Sequence, residues 1–118
     1  MRINNPALRE NVARSMSDSR FRSILSATIP KAKSGAELSA ELGIPVRSLY
    51  RYIKSLNELG LLAVERSSFP RGGGKFDLYR SMVRSVTIKY EANAVEIDLL
   101  PNEGILERFM RFWTYIGR

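Results

Sequence analysis

Five polar side chains between residues 46 and 59 have the types and the spacing to bind nucleic acid. They are Arg47, Ser48, Tyr50, Arg51 and Lys54. Arginine can form two parallel hydrogen bonds to guanine, serine can bond a phosphate or a base edge, and lysine can neutralise a phosphate. A merely solvated helix face is the alternative interpretation, which the basic bias of the segment disfavours.

These side chains share one surface only if the segment is a helix. Leu49, Ile53 and Leu56 recur at helical spacing, and they predict a face that packs into the core. The opposite face then carries the polar set and can enter the major groove of DNA. Of the two tyrosines, one can lie against the core, and we expect Tyr50 rather than Tyr52 to face DNA.

A shorter helix and a turn must position this segment. Ser34 and Glu37 have the spacing of a capping box, which predicts a helix over residues 35–42. Gly43 then stands where a left-handed residue ends a helix, and Pro45 suits the first turn of the next one.

A glycine-rich loop, residues 68–75, separates predicted strands at 61–67 and 76–80. Glycine allows close approach to a phosphate, and arginine favours the negative potential of a narrow minor groove. An ordinary flexible hairpin tip is the alternative. A nucleotide phosphate loop is excluded, because the six-residue frame, the following Ser or Thr and the following helix are all missing. The residues expected to contact DNA here are Arg66, Arg71, Gly73 and Lys75.

Two further helices are predicted before this unit. Asn5-Pro6 can begin the first, and Ser17 or Asp18 can cap a second over residues 19–28. Residues 31–33 then form a short basic connection.

A second hairpin is predicted after the loop. Residues 84–90 and 95–99 alternate between apolar and polar, with a turn at 91–94. This hairpin either extends the first sheet or forms part of a sensor surface.

The last predicted helix, residues 103–116, is apolar over more than one stripe. A surface helix needs only one such stripe for its own core, so the excess predicts a second copy of the chain as partner. The alternative is that the helix folds over the hairpin of its own chain. The expected dimer contacts are Leu106, Phe109, Met110, Phe112, Trp113 and Ile116.

The chain resembles a known family in its central segment, ELSAELGIPVRSLYRYIKSLNELGLL. This segment resembles the ArsR-like winged helix regulators, particularly the small archaeal ones. The resemblance lies in a leucine-bearing helix, a glycine turn, a second helix and a terminal Gly-Leu-Leu. The resemblance covers about residues 18–80. It implies a winged helix-turn-helix fold, DNA binding in transcription regulation, and dimerisation through the terminal helices. Metal sensing does not carry over, because the chain has no Cys and no His.

Composition narrows the function further. The chain has 118 residues, a formal net charge of +7, and neither cysteine nor histidine. The basic excess lies in residues 1–80, whereas charges balance in residues 81–118. A basic excess favours a polyanionic partner. Without a catalytic set of side chains we expect no enzyme activity, no metal and no other cofactor. No membrane-crossing run or secretory signal is present, so we expect a cytoplasmic protein.

The sequence therefore predicts one α+β domain over residues 1–118, a winged helix-turn-helix with an extra C-terminal β-hairpin and a terminal dimerisation helix. The winged helix core spans 18–80, the added hairpin 81–100 and the dimerisation helix 103–116. The expected function is sequence-specific binding of double-stranded DNA by a homodimer. A protein–protein interaction module and a non-specific, chromatin-type DNA binder remain as alternatives, and the sequence specifies no small-molecule effector.

Overall fold

Side-chain caps begin the first two helices. The computed structural model describes residues 1–115, and in it helix α1 spans Pro6–Met16 behind the cap Asn5. Helix α2 spans Ser19–Ala27 behind Asp18, whose carboxylate accepts a backbone N–H of the first turn. The predicted starts of both helices are confirmed, because each cap satisfies an N–H group that has no partner within its helix.

The helix-turn-helix follows the predicted local signals. Helix α3 spans Gly35–Leu42, and both halves of its capping box are formed at 3.1 Å between Ser34 and Glu37. The backbone N–H of Ser34 lowers the pKa of the Glu37 carboxyl by bonding its charged form. Gly43 has the predicted left-handed backbone, with φ of 67°, and helix α4 then spans Val46–Glu58.

Three antiparallel strands form the sheet beside these helices. They are β1 (Lys33–Ser34), β2 (Leu62–Ser68) and β3 (Phe76–Ser81), in the spatial order β1-β3-β2. The short basic connection predicted at residues 31–33 ends one residue earlier than expected, because Lys33 belongs to β1 and pairs with Tyr79 of β3. This pairing fixes the start of α3 against the sheet.

The second hairpin forms its own two-stranded sheet and does not extend the first. Strand β4 spans Val83–Glu91 and strand β5 spans Ala94–Pro101. The turn between them is narrower than predicted: its two residues, Ala92 and Asn93, have φ of 52° and 64°. Positive φ at both positions is typical of a tight hairpin turn.

The start of the chain lies along β5, which the sequence did not predict. The backbone N–H of Ile3 donates to the carbonyl of Ile97 at 2.9 Å, and the N–H of Leu99 donates to the carbonyl of Met1 at 2.7 Å. Ile3 is fully buried as a result. The segment therefore covers part of the free edge of this sheet.

The last helix is anchored in the core of its own chain. A short 3-10 turn at Glu103–Ile105 precedes helix α5, Leu106–Tyr115. Phe109 and Trp113, expected at a dimer contact, are buried, and the Trp113 Nε1–H donates to the carbonyl of Gly60 at 3.1 Å. The expected exposure of these two aromatic residues is corrected accordingly.

The remaining residues of the expected dimer contact differ in placement. Phe112 is partly buried, and its ring lies so close to Gly60 that a Cβ there would overlap it. Leu106 and Met110 remain exposed. Ile116 lies outside the described residues.

One hydrophobic core joins the helices to both sheets. Its fully buried side chains include Val12, Ile24, Leu38, Leu49, Leu56, Leu61, Leu62, Ile97 and Trp113. Within residues 1–115, no helix is both long and apolar enough to cross a bilayer.

Candidate nucleic-acid interface

Helix α4 is divided into a core face and an exposed face. Leu49 and Leu56 are fully buried, and Tyr52 and Ile53 lie beside them in the core. Ser48 is half-buried on the flank of the helix, so it is less accessible than the other predicted contacts. The exposed face carries Arg47, Tyr50, Arg51 and Lys54.

The three cations of this face are not held in ion pairs within the part of the chain that the structure describes. No ion pair or hydrogen bond joins Arg47, Arg51 or Lys54 to another side chain within residues 1–115. The guanidinium of Arg51 lies 5.9 Å from the centroid of the Tyr52 ring, a cation–π contact that leaves its donors available. The face is therefore a stripe of exposed positive charge with unused hydrogen-bond donors.

The two tyrosines of α4 point to different environments. Tyr52 meets Phe21 edge-on at 5.0 Å between ring centroids, and the guanidinium of Arg20 lies 4.9 Å from its ring. Tyr50 is 44% exposed, and its hydroxyl occupies the space where a Cβ on Gly35 would stand. The expectation that Tyr50 is the outward tyrosine is confirmed, and its contact with DNA stays a prediction.

The wing is the loop between β2 and β3, residues 69–75, with the adjoining strand ends. Its cations are less free than those of α4: Arg66 pairs with Glu65 at 3.1 Å, and Lys75 lies 3.9 Å from Asp77. Arg71 has no ion pair within the described chain and projects from an exposed segment. The predicted wing residues thus lie on one hairpin, but only Arg71 offers a fully uncommitted charge.

The glycines give the wing its tight tip. Gly72 has φ of 77°, a conformation that other residues rarely adopt. The backbone N–H of Gly73 donates to the carbonyl of Pro70 at 3.1 Å, and a Cβ on Gly73 would come within 3.2 Å of the Pro70 ring. Gly73 therefore serves the turn itself, and its backbone N–H is already used.

A polar network holds the base of the wing against the connection that follows α2. Glu65 accepts from Arg80 at 2.7 Å, and the same guanidinium donates to the carbonyl of Ile29 at 3.1 and 3.2 Å. Arg108 of α5 donates to the carbonyls of Val64 and Glu65 on β2. The orientation of the strands below the tip is set by these contacts.

Two aromatic residues at the wing were missed as candidate contacts. Phe69 is 73% exposed, and Phe76 is exposed as well. An aromatic residue next to Pro70 in an otherwise polar, glycine-rich loop was the available signal. Exposed apolar side chains on such a tip can meet a sugar or a base step.

Tyr79 is a partly buried residue of β3, paired with Lys33 of β1 and with Val64 of β2. Burial raises the pKa of its hydroxyl, and the neighbouring Asp77 and Tyr50 add to the shift. An ordinary tyrosine is already uncharged at neutral pH, and the upward shift of the pKa extends the uncharged range further into alkaline pH.

The element order α3-turn-α4-β2-wing-β3 defines a winged helix-turn-helix domain. No protein-family model matches the chain, and no curated protein matches it. Among solved structures, HlyU from Vibrio cholerae is similar over 95% of this chain and 96% of its own, at 20% sequence identity and a TM-score of 0.45. A likeness this distant carries no argument about function, so the resemblance to ArsR-like regulators stays a prediction.

Proposed function

We propose that this chain binds double-stranded DNA with sequence preference and regulates transcription, with α4 in the major groove. One observation carries the proposal: Arg47, Arg51 and Lys54 share an exposed helix face without an ionic partner among the described residues, opposite a face fixed in the core. A rigid helix with free arginine forks can read guanine edges, and lysine can neutralise the adjacent phosphates.

The wing supplies a second, less selective contact in this proposal. Arg71 at the glycine-rich tip would contact the sugar–phosphate backbone or the minor groove. Arg66 and Lys75 would contribute less, because each already has a carboxylate nearby.

The alternative of a protein–protein module is disfavoured by the same three cations. At a protein interface their charges would lose water, which is costly unless the partner supplies a matching set of carboxylates. DNA phosphates supply the missing anions. A non-specific DNA binder would use the same attraction between cations and phosphates and would differ only in its lack of sequence preference.

Selection of bound sequences from a random pool of duplex DNA tests the proposal. Enrichment of one motif supports sequence-specific regulation. Binding without enrichment would favour the non-specific binder, and absence of binding at low salt would favour the protein–protein module. An enriched palindrome would also indicate a two-fold protein, because operator symmetry mirrors protein symmetry.

The proposed assembly is a homodimer, with the exposed stripe of α5 at the contact. Leu106 and Met110 are 42% and 49% exposed and are one helical turn apart. They belong to the same helix as the buried Phe109 and Trp113, which anchor it in the core. A two-fold dimer would present two α4 helices to half-sites about 34 Å apart, one turn of DNA.

Met110→Glu tests this contact without disturbing the core. We expect the variant to remain folded and to shift from dimer to monomer at micromolar concentration in light scattering, because a charge would be buried at the contact. Thr87→Glu adds the same charge on the exposed face of β4 and should leave the dimer intact. A wild-type monomer with normal DNA binding would contradict the proposed assembly.

A further inference from the structure

A cavity of about 430 Å³ lies between α2 and β4, away from α4 and the wing. Its volume is within the range of small-molecule sites. Its apolar lining comes from the end of α1, from α2 and the connection after it, and from β4: Met16, Leu25, Ile29, Val83, Val86 and Ile88.

The cavity borders one apolar face of the second sheet, which is unevenly covered. Val86 pairs with Leu99 and Ile88 pairs with Ile97 across the hairpin, so these four side chains share one face. Ile97 and Leu99 are buried, whereas Ile88 is 43% exposed. The β4 part of this apolar face is thus covered less completely than the β5 part: Val86 is partly buried and Ile88 is exposed.

The charged groups at this cavity are of one sign. Arg22 of α2 and Arg84 of β4 line it together with two serines, and none of the described lining residues is acidic. No ion pair or hydrogen bond joins the Arg84 guanidinium to any other residue that the structure describes. Arg84 stands in the bulge between the paired residues Val83 and Ser85, outside the regular ladder.

Arg22 also keeps donors available. One of its terminal nitrogens donates to the carbonyl of Met16 at 2.6 Å, which fixes the side chain and leaves most of its five N–H groups unused. Asp18 is close enough to Arg22 to be affected by its charge, but its carboxylate is held by Arg20 at 2.9 and 3.1 Å. A local acid therefore does not saturate the two arginines.

We propose that this cavity binds a small organic anion with an apolar body, of the medium-chain carboxylate type. The apolar part would cover Val86, Ile88 and Leu25, and the carboxylate would accept hydrogen bonds from Arg84 and Arg22. Charge complementarity indicates the class of ligand, because a cation would be repelled by two guanidinium groups and a neutral alcohol would leave most of their donors unused. The site is independent of the proposed DNA contacts, because it shares no residue with α4 or the wing.

Calorimetric titration of the full chain, without DNA, tests the proposal with decanoate below its micelle concentration. We expect decanoate to bind, 1-decanol to bind at least about tenfold more weakly, and decyltrimethylammonium not to bind. Equal binding of decanoate and 1-decanol would overturn the proposal, since it would show an apolar patch without anion recognition. Absence of decanoate binding at millimolar concentration would overturn it too.

A matched pair of variants tests whether the guanidinium of Arg84 binds the carboxylate. Arg84→Gln should weaken decanoate binding about five- to tenfold, while Lys89→Gln, on the same strand but outside the cavity, should leave it unchanged. An equal loss in both variants would contradict the site. Methyl NMR of the unmodified chain gives an independent readout: decanoate should shift Met16, Ile29 and Ile88 and leave Leu49 of α4 unmoved, and the reverse pattern would overturn the assignment.

Discussion

Helix α4 and the wing both present basic side chains, but they hold them in different ways. The cations of α4 stand on a helix whose opposite face is buried, and no described side chain pairs with them. Two of the three wing cations lie beside carboxylates, and the tip between them is a run of exposed glycines. Under the proposed function, this difference predicts that α4 reads the base sequence and that the wing attracts phosphate with little selectivity.

Removal of two α4 arginines should have the largest effect on DNA binding. The double change Arg47→Ala and Arg51→Ala should weaken binding to the selected site by about 2–6 kcal/mol, since each specific arginine contact contributes about 1–3 kcal/mol. Fluorescence anisotropy with the selected duplex and with random duplex measures both affinities.

The matched control for this prediction removes two exposed cations elsewhere. Arg14→Ala with Lys89→Ala gives the same net charge and should lose much less affinity for the selected site. A folded Arg47/Arg51 double variant that binds its site normally would remove α4 from the interface.

The free energy of unfolding should also respond differently to substitutions at the end of α4 and in the wing. Gly60, just after α4, has φ of 76° and lies against the Phe112 ring, so Gly60→Ala should lower the free energy of unfolding by about 2–5 kcal/mol from backbone strain and overlap together. Gly72→Ala in the wing has a similar φ but open space around it, and it should cost no more than about 1–2 kcal/mol.

Urea unfolding of both glycine variants measures this difference. Similar losses would mean that the Phe112 ring is not held against Gly60. The contact of α5 with Gly60 after α4 would then be looser than the structure shows.

The smallest effect is expected at the wing. Arg71→Gln with Lys75→Gln should weaken binding to selected and random duplexes by similar factors and reduce the slope of log affinity against log salt by about 0.9 for each lost phosphate contact. Arg71 should account for most of the change, because Lys75 already lies near Asp77.

Asp77→Asn sharpens the wing prediction. It removes the carboxylate beside Lys75 and should therefore steepen the salt dependence slightly. A slope that neither change alters would show that the wing does not touch DNA.

Local signals made most of the helix-turn-helix predictable. The Ser34 and Glu37 capping box, the left-handed Gly43 and the apolar spacing of α4 each act within a few residues, so the sequence displays them directly. The exposure of Tyr50 was also predictable, although Gly35, which makes room for its ring, is distant in sequence.

Contacts between distant segments were not predictable in the same way. Periodicity shows which face of a helix is apolar but not what covers it, and so Phe109 and Trp113 were expected at a partner chain. The pairing of Lys33 with β3 and of Ile3 with β5 likewise depends on tertiary packing, for which a single sequence carries no local signal. The cavity beside β4 is a product of the same packing.

The pairing of the first residues with β5 also constrains the order in which the chain can fold during synthesis. Ile3 has its backbone partner at Ile97, so the first segment emerges from the ribosome long before its binding edge exists. Closing such a long loop is entropically costly and slow compared with forming neighbouring contacts. The contacts between α3 and α4 are local and available early, and the N-terminal segment stays without its edge until β5 has left the exit tunnel.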